Sequence, residues 1–238
     1  MGRIDSQKPW VVLPLKSVKK SNSRLKYILS SNERQQLSML MLEDVFAALK
    51  NVPGLGGLLV ITDCPTIKHY CRKLDVILLE EGDRPELNSA VSKAVQFLEK
   101  LGIKRFFTVP GDVPLLDSSE LNQLIECVKN SKGVTLVPSH DGLGTNSISS
   151  LIPSHITPQF GSNSLSIHHQ MVRDIGVPLN VLPLPGLGFD IDWPDDLIQL
   201  ASIDGDSRSQ RYLSRIDVIQ RQSRASKQTT GIEFEQRD

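Results

Sequence analysis

Residues 10–62 read WVVLPLKSVKKSNSRLKYILSSNERQQLSMLMLEDVFAALKNVPGLGGLLVIT. The stretch opens on a short apolar run, Trp10 to Leu15, of a length that suits a strand. A polar, basic loop follows, KSVKKSNSR. Ser30 and Glu33 then stand at the spacing of a capping box, in which a hydroxyl and a carboxylate satisfy each other's backbone donors at a helix start. Behind them Leu37, Leu40, Met41, Val45, Ala48 and Leu49 share one face of a helix. GLLVIT (57–62) is the next strand. Strand, helix and strand in that order form the βαβ unit of a parallel sheet.

The alternation continues outward from this unit. A short helix precedes a third strand, DVILLE (75–80). The spacing predicts a helix over 85–101, with Pro85 near its first turn and Leu87, Ala90, Val91, Ala94, Leu98 and Leu101 buried. Lys104 to Val109 is a fourth strand, and Asp117 or Ser118 caps a helix carrying Leu121, Leu124, Ile125 and Val128. Strand-like segments at 133–138, 146–151 and 179–184, with helices near 164–175 and from Pro194 to Ala201, complete the set. The fold class is α/β, three layers, with a mostly parallel central sheet and helices on both faces. In such sheets ligands bind at the carboxyl ends of the strands, which directs attention to the loops after Leu15, Val109 and Leu184. Residues 1–208 read as one domain. Residues 209–238 are polar and rich in Arg, Gln and Ser, and read as a flexible tail or a weakly docked extension.

Lys+Arg and Asp+Glu both number 27 in the 238 residues, so the net charge is zero. That argues against a general nucleic-acid or membrane-surface binder, which carries a basic excess. A small anionic ligand held by a local basic loop stays compatible with it. The three cysteines, Cys64, Cys71 and Cys127, fit neither a disulfide framework nor a zinc pattern and read as reduced residues of a cytoplasmic protein. No apolar stretch reaches the ~18 residues of a membrane span, and the first apolar run is too short for a signal peptide. Gly2 and Ser6 match the myristoylation pattern, but so short a match arises by chance.

Four constellations carry candidate chemistry. Lys16, Lys19, Lys20 and Arg24 cluster in the loop after the first strand, where they could neutralise a polyphosphate or form a solvated basic surface. In VPGDVPLLD, Asp112 directly follows a strand and is placed either to bind a metal or to satisfy backbone donors in a turn. In GFDIDWPDDL, Asp190 and Asp192 project to one face of extended chain. Two like charges so close raise each other's pKa unless a cation lies between them, and magnesium, which takes a few carboxylates plus substrate phosphates, would relieve the repulsion. Asp192 could instead cap the helix that starts at Pro194, while Asp195 and Asp196 read as first-turn acids favoured by the dipole and are left out of the site. Finally, DGLGTNSIS and FGSNSLSIHH place Thr145, Gly161, Ser162 and Ser164 near a helix start, where phosphate binds well; two ordinary turns and an N-cap are the alternative. His168 and His169 are neighbours on a helix, face different ways, and read as structural or surface residues.

Taken in order, LPLKSVKKSNSRL, LSSNERQQLSMLMLEDV, RPELNSAV, VPGDVPLL, GLGTNS, FGSNSLSIHH and FDIDWPDDL resemble the CofC/FbiD guanylyltransferases of coenzyme F-420 biosynthesis, over roughly residues 10–202. The resemblance implies a glycosyltransferase-A-like nucleotidyltransferase fold and transfer of GMP from GTP to 2-phospho-L-lactate, phosphoenolpyruvate or 3-phospho-D-glycerate, with release of pyrophosphate. It implies that Asp112, Asp190 and Asp192 hold magnesium (Mg2+), that Thr145, Gly161 and Ser164 cradle the acceptor, that Lys16 and Arg24 meet the GTP phosphates, and that Asn88 lies near the nucleoside. One position departs from the family, which usually has Lys where Asn22 stands; Lys19 or Lys20 would substitute for it. GTP and a small phospho-acid are the expected partners, without nucleic acid or membrane, and a homodimer is left open. A metal-dependent glycosyltransferase with a D-x-D pair and a non-catalytic nucleotide-binding module are the alternatives. A molybdopterin-type transferase would need a Gly-rich first loop, which is absent.

Overall fold

Residues 5–18, 22–50, 52–82 and 86–222 are described by the structure, a computed structural model. The strands are β1 (Trp10–Pro14), β2 (Gly57–Ile61), β3 (Ile77–Leu79), β4 (Arg105–Thr108), β5 (Val134–Pro138), β6 (Thr145–Leu151) and β7 (Leu179–Val181). The helices are α1 (Ser31–Leu49), α2 (Pro65–Cys71), α3 (Leu87–Lys100), α4 (Ser118–Asn130), α5 (Ser164–Ile175), the single turn α6 (Pro185–Gly188), α7 (Pro194–Ser202) and α8 (Arg208–Arg215). The predicted capping box forms at α1, where Ser30 Oγ accepts from the Glu33 amide and the Glu33 carboxylate accepts from the Ser30 amide. Asp117 caps α4 by accepting from the Glu120 amide at 2.8 Å. Lys19, Lys20 and Pro85 lie outside the described residues.

One sheet holds all seven strands, in the order β3-β2-β1-β4-β6-β5-β7. It is parallel except for β6, which runs against both β4 and β5. Alternation along each strand splits the interior in two. Val11, Leu13, Val60, Phe107 and Val137 face α1, α2 and α4. Val12, Leu59, Ile61 and Phe106 face α3, while Leu136 and Ile148 on the same side face Val172 of α5. The expected three layers are present. Among the described residues no helix is long and apolar enough to cross a membrane, and the three cysteines are free thiols.

The reversal of β6 positions the site. Because β6 is antiparallel to β4, with Arg105 opposite Leu151 and Phe107 opposite Ser149, the start of β6 lies beside the carboxyl end of β4. Thr145 therefore arrives at the same edge as Lys16 and Asp112. The segment after β7 crosses that edge too, tied by the Gly188 carbonyl to the His140 amide at 2.7 Å and by the Asp112 carbonyl to the Ile191 amide at 3.0 Å.

A third core corrects the expected domain boundary at 208/209. Tyr212, Leu213 and Val218 are buried with Leu25, Leu29, Leu37, Met41, Phe189, Ile191, Leu197 and Leu200. The buried Asp44 carboxylate accepts from the Arg208 and Ser209 amides, both at 2.9 Å, and from the Ser209 hydroxyl at 2.7 Å, and so caps α8 from α1. Residues 209–222 are thus packed, because a few apolar side chains at helical spacing find a partner face in an otherwise polar segment. The remainder of the expected tail, 223–238, lies outside the described residues. The single apolar face expected of α1 is also corrected. Leu42, Val45, Phe46 and Leu49 face the sheet, whereas Leu37 and Met41 enter the third core.

Candidate active site

A cavity of about 690 Å3 opens at the carboxyl edge of the sheet, lined among others by Lys16, Arg24, Asp112, Thr145, Gly161, Ser164, Asp190 and Asp192. Its size is that of an ordinary small-ligand site. Seven of the eight predicted site positions bordering it come from loops or element ends, Thr145 opening β6 and Ser164 opening α5, and the eighth, Arg24, sits in a short 3-10 turn, Ser23–Tyr27. Gly111, ahead of Asp112, is packed so closely that an added Cβ would lie 2.7 Å from Leu15 Cδ2. Gly161 is different: nothing stands within 4 Å of such a Cβ, but its φ of +138° suits glycine alone.

On one wall, Asp112 lies beside the 190–192 segment. Burial pushes its carboxyl up to about 7, the Asp190 and Asp192 carboxylates add to the effect, and Lys16 opposes it. Asp192 is likewise raised, by burial first, with the nearby Asp190 and Asp196 contributing against the pull of Arg24. Arg24 forms an ion pair with Asp192, and its guanidinium lies 4.5 Å over the ring of Trp193. Asp190 accepts from Asn146 Nδ2 at 3.0 Å and lies 3.5 Å from His140 Nδ1. The other ring nitrogen of His140 is 3.1 Å from Asp196. Asp196 in turn accepts from the amides of Asp192 and Trp193, at 2.9 and 2.7 Å. The cap of α7 is therefore Asp196, as a first-turn acid, and the Asp192 side chain is released from that duty.

Among the described residues no three His, Cys, Asp or Glu side chains are gathered as a ready-made metal cage. The donor set nevertheless fits a hard cation shared with a substrate. The neighbouring carboxylates raise the proton affinity of Asp112 and of Asp192, and magnesium characteristically takes one or two carboxylates and completes its shell with phosphate oxygens and water.

Also in the lining, the Ser164 hydroxyl accepts from the Thr145 amide at 2.9 Å, and the Thr145 hydroxyl lies 3.0 Å from His168 Nδ1. Burial lowers the His168 pKa to about 4. Asn88 does not line the cavity. Its amide clamps the backbone of Phe160, accepting from the Phe160 nitrogen at 2.7 Å and donating to its oxygen at 3.4 Å. These bonds tie Asn88 to the loop that carries Gly161. Asn22, in left-handed backbone at φ 53°, lines the cavity and donates to Ser38 at 3.5 Å.

Residues 10–234 match the family described as guanylyl transferase CofC like. The chain belongs to that family. It is 29% identical over 195 residues to a phosphoenolpyruvate guanylyltransferase of Conexibacter woesei, covering 82% of this chain and 87% of the relative. It is 30% identical over 191 residues to a 3-phospho-D-glycerate guanylyltransferase of Colwellia psychrerythraea, covering 80% and 90%. To a 2-phospho-L-lactate guanylyltransferase of Methanothermobacter thermautotrophicus it is 27% identical over 219 residues, covering 92% and 96%. A crystal structure from Desulfovibrio desulfuricans, of a proposed nucleotide-diphospho-sugar transferase, superposes with a TM-score of 0.76 over 92% of this chain and 98% of that one; at 15% identity it shows the fold alone. This CofC-like chain is a nucleotidyltransferase.

Sequence reasoning missed His140, Trp193 and the placing of Asp196 around the enzyme's acidic wall. The pair His140–Asp196 joins positions 56 residues apart, and no local pattern marks such a pair. Trp193 could have been noticed as a large ring directly after the D-x-D pair.

Proposed function

We propose that this enzyme transfers GMP from GTP to a small phosphorylated acid, with release of pyrophosphate, in coenzyme F-420 biosynthesis. The acceptor class is a compound bearing both a phosphate monoester and a carboxylate, which phosphoenolpyruvate, 2-phospho-L-lactate and 3-phospho-D-glycerate have in common. The observation that carries the reading is one cavity lined both by the carboxylates of Asp112, Asp190 and Asp192 and by the hydroxyls of Thr145 and Ser164, in a chain of the CofC-like family.

The acceptor supplies its own nucleophile. A phosphate monoester has a second pKa of ~6, so near neutral pH it is largely a dianion and needs no general base. One of its oxygens attacks the α-phosphorus of GTP; the new P–O bond forms as the bond to the β-phosphate oxygen breaks, and pyrophosphate leaves with the electron pair. The protein's task is to align two mutually repelling anions and to offset charge on the leaving group. Lys16 and Arg24 border the cavity from the first loop and meet the nucleotide phosphates. Asp112, Asp190 and Asp192 would hold magnesium, whose contribution when bound is charge neutralisation at the phosphates. Thr145, Gly161 and Ser164 receive the acceptor.

Purified protein incubated with GTP, magnesium and each of the three acceptors, with products identified by mass, tests the reading. A guanosine diphospho-acid and pyrophosphate are expected with at least one acceptor. No product with any of them, or equal turnover of ATP, would overturn it.

A further inference from the structure

We propose that His168, which lies outside the cavity, is a positioning residue that fixes the Thr145 hydroxyl, beside that of Ser164, as a hydrogen-bond donor to the acceptor's anionic oxygens. This rests on the guanylyltransferase reading and adds to it a residue that touches no substrate. His168 is fully buried in α5, and the ring of Phe160 meets it edge-on at 5.7 Å. Its Nε2 stands 2.9 Å from the backbone nitrogen of Gln159. A backbone N–H only donates, so Nε2 is the lone-pair nitrogen of the ring. In a neutral imidazole the other nitrogen then carries the hydrogen, and Nδ1–H donates to Thr145 Oγ1 at 3.0 Å. Protonating the ring would set a second N–H against the Gln159 amide in a buried place, so the neutral form is held by both burial and geometry.

The consequence lies at the cavity surface. The Thr145 oxygen already accepts from His168, so its own hydrogen turns elsewhere, and Thr145 lines the cavity. Ser164 reaches the same condition by another route: its oxygen accepts from the Thr145 amide at 2.9 Å, and it too lines the cavity. Two adjacent hydroxyls, each with an acceptor position filled from behind, present hydrogens to the ligand. Phosphate and carboxylate oxygens, which only accept, suit that wall. Lys16 and Arg24 stand in the other loop, so the GTP phosphates have separate partners.

Steady-state kinetics of the full-length protein separate this role from simple packing. His168→Gln sets an amide oxygen near the Nε2 position, keeping the Gln159 amide partnered while removing the donor to Thr145. His168→Asn sets an amide nitrogen near the Nδ1 position and keeps that donor. His168→Gln and Thr145→Val are expected to raise the acceptor KM about tenfold, the usual size of a lost hydrogen bond to a charged group, with the GTP KM little changed. His168→Asn and Thr145→Ser should stay nearer the wild type. In the double variant His168→Gln with Thr145→Val the acceptor KM should match that of Thr145→Val alone, because both act through one hydroxyl. If His168→Gln and His168→Asn lower the melting temperature alike and leave the acceptor KM unmoved, the inference fails. Should the His168 variants not fold, a wild-type acceptor KM in Thr145→Val overturns it equally. A wild-type protein without turnover on any of the three acceptors overturns the guanylyltransferase reading itself, and that result is seen before any variant is made.

Discussion

Asp112, Asp190 and Asp192 differ in how they are held, and that difference shapes what their replacement should do. Asp112 has few compensating donors and sits at about 7 because burial and its two acidic neighbours disfavour charge. Asp190 is held by Asn146, and Asp192 by Arg24. Changing each to Asn keeps the shape and removes one charge. Each variant should lose about 100-fold or more in turnover, as removal of a charge-stabilising group commonly does. Asp112→Asn should melt no lower than the wild type in metal-free buffer, since it removes a repelled charge. If Asp112 and Asp190 serve one ion, the double variant should lose far less than the product of the single losses. Steady-state kinetics across a magnesium titration, with thermal melts alongside, check all three points, and a folded Asp190→Asn protein with normal turnover and unchanged magnesium dependence would remove the metal role. These aspartates were legible in the sequence because turn position and i, i+2 spacing are local properties. His140 and His168 were not legible in these roles, since their importance comes from partners brought close by the sheet.

Helix α1 shows the same limit among whole elements. Its existence, its capping box and its start at Ser31 follow from the sequence, as do the short strands, because period and caps are local. Its second buried face does not follow so readily, although LSMLMLEDVFAAL is apolar around most of the helix, which signals burial on more than one side. The partner of that second face is α8, whose polar sequence suggested a tail. Asp44 joins the two elements. In Asp44→Ala the amides of Arg208 and Ser209 and the Ser209 hydroxyl would lose their acceptor. Each buried donor left unpaired costs about 1–3 kcal/mol, so a loss on the order of 3 kcal/mol and a fall of about 10 °C in Tm are expected for a protein of this size. Circular dichroism melts would show it, with Asp44→Asn intermediate because one acceptor oxygen survives. An unchanged Tm would mean that apolar contacts alone secure α8.

Across the whole molecule, the site depends on segments far apart in the chain. The first loop, the β4 loop, the start of β6 and the 184–192 crossing meet at one edge of the sheet, and the last of these is supported from beneath by the third core. Ile191, between the two aspartates, is buried together with Tyr212 and Leu213. The C-terminal segment therefore packs against the stretch that carries Asp190 and Asp192. Burying a side chain such as Leu, Val or Tyr contributes about 1.5–3 kcal/mol, so Tyr212, Leu213 and Val218 together contribute on the order of 6 kcal/mol, a large share of the ~5–15 kcal/mol that holds a domain folded. Ending the chain after Ser207 removes all three and uncovers Leu25, Phe189, Leu197 and Leu200. The truncated protein should aggregate or melt far below the full chain. Any folded fraction should turn over slowly, because the loop carrying Asp190 and Asp192, between α6 and α7, has lost its floor. Expression with size-exclusion chromatography, melting and pyrophosphate-release assays decide the matter. A monodisperse truncated protein with a wild-type melt and normal kcat would show that the third core is dispensable and that residues 208–222 serve some purpose other than holding the acidic wall in place.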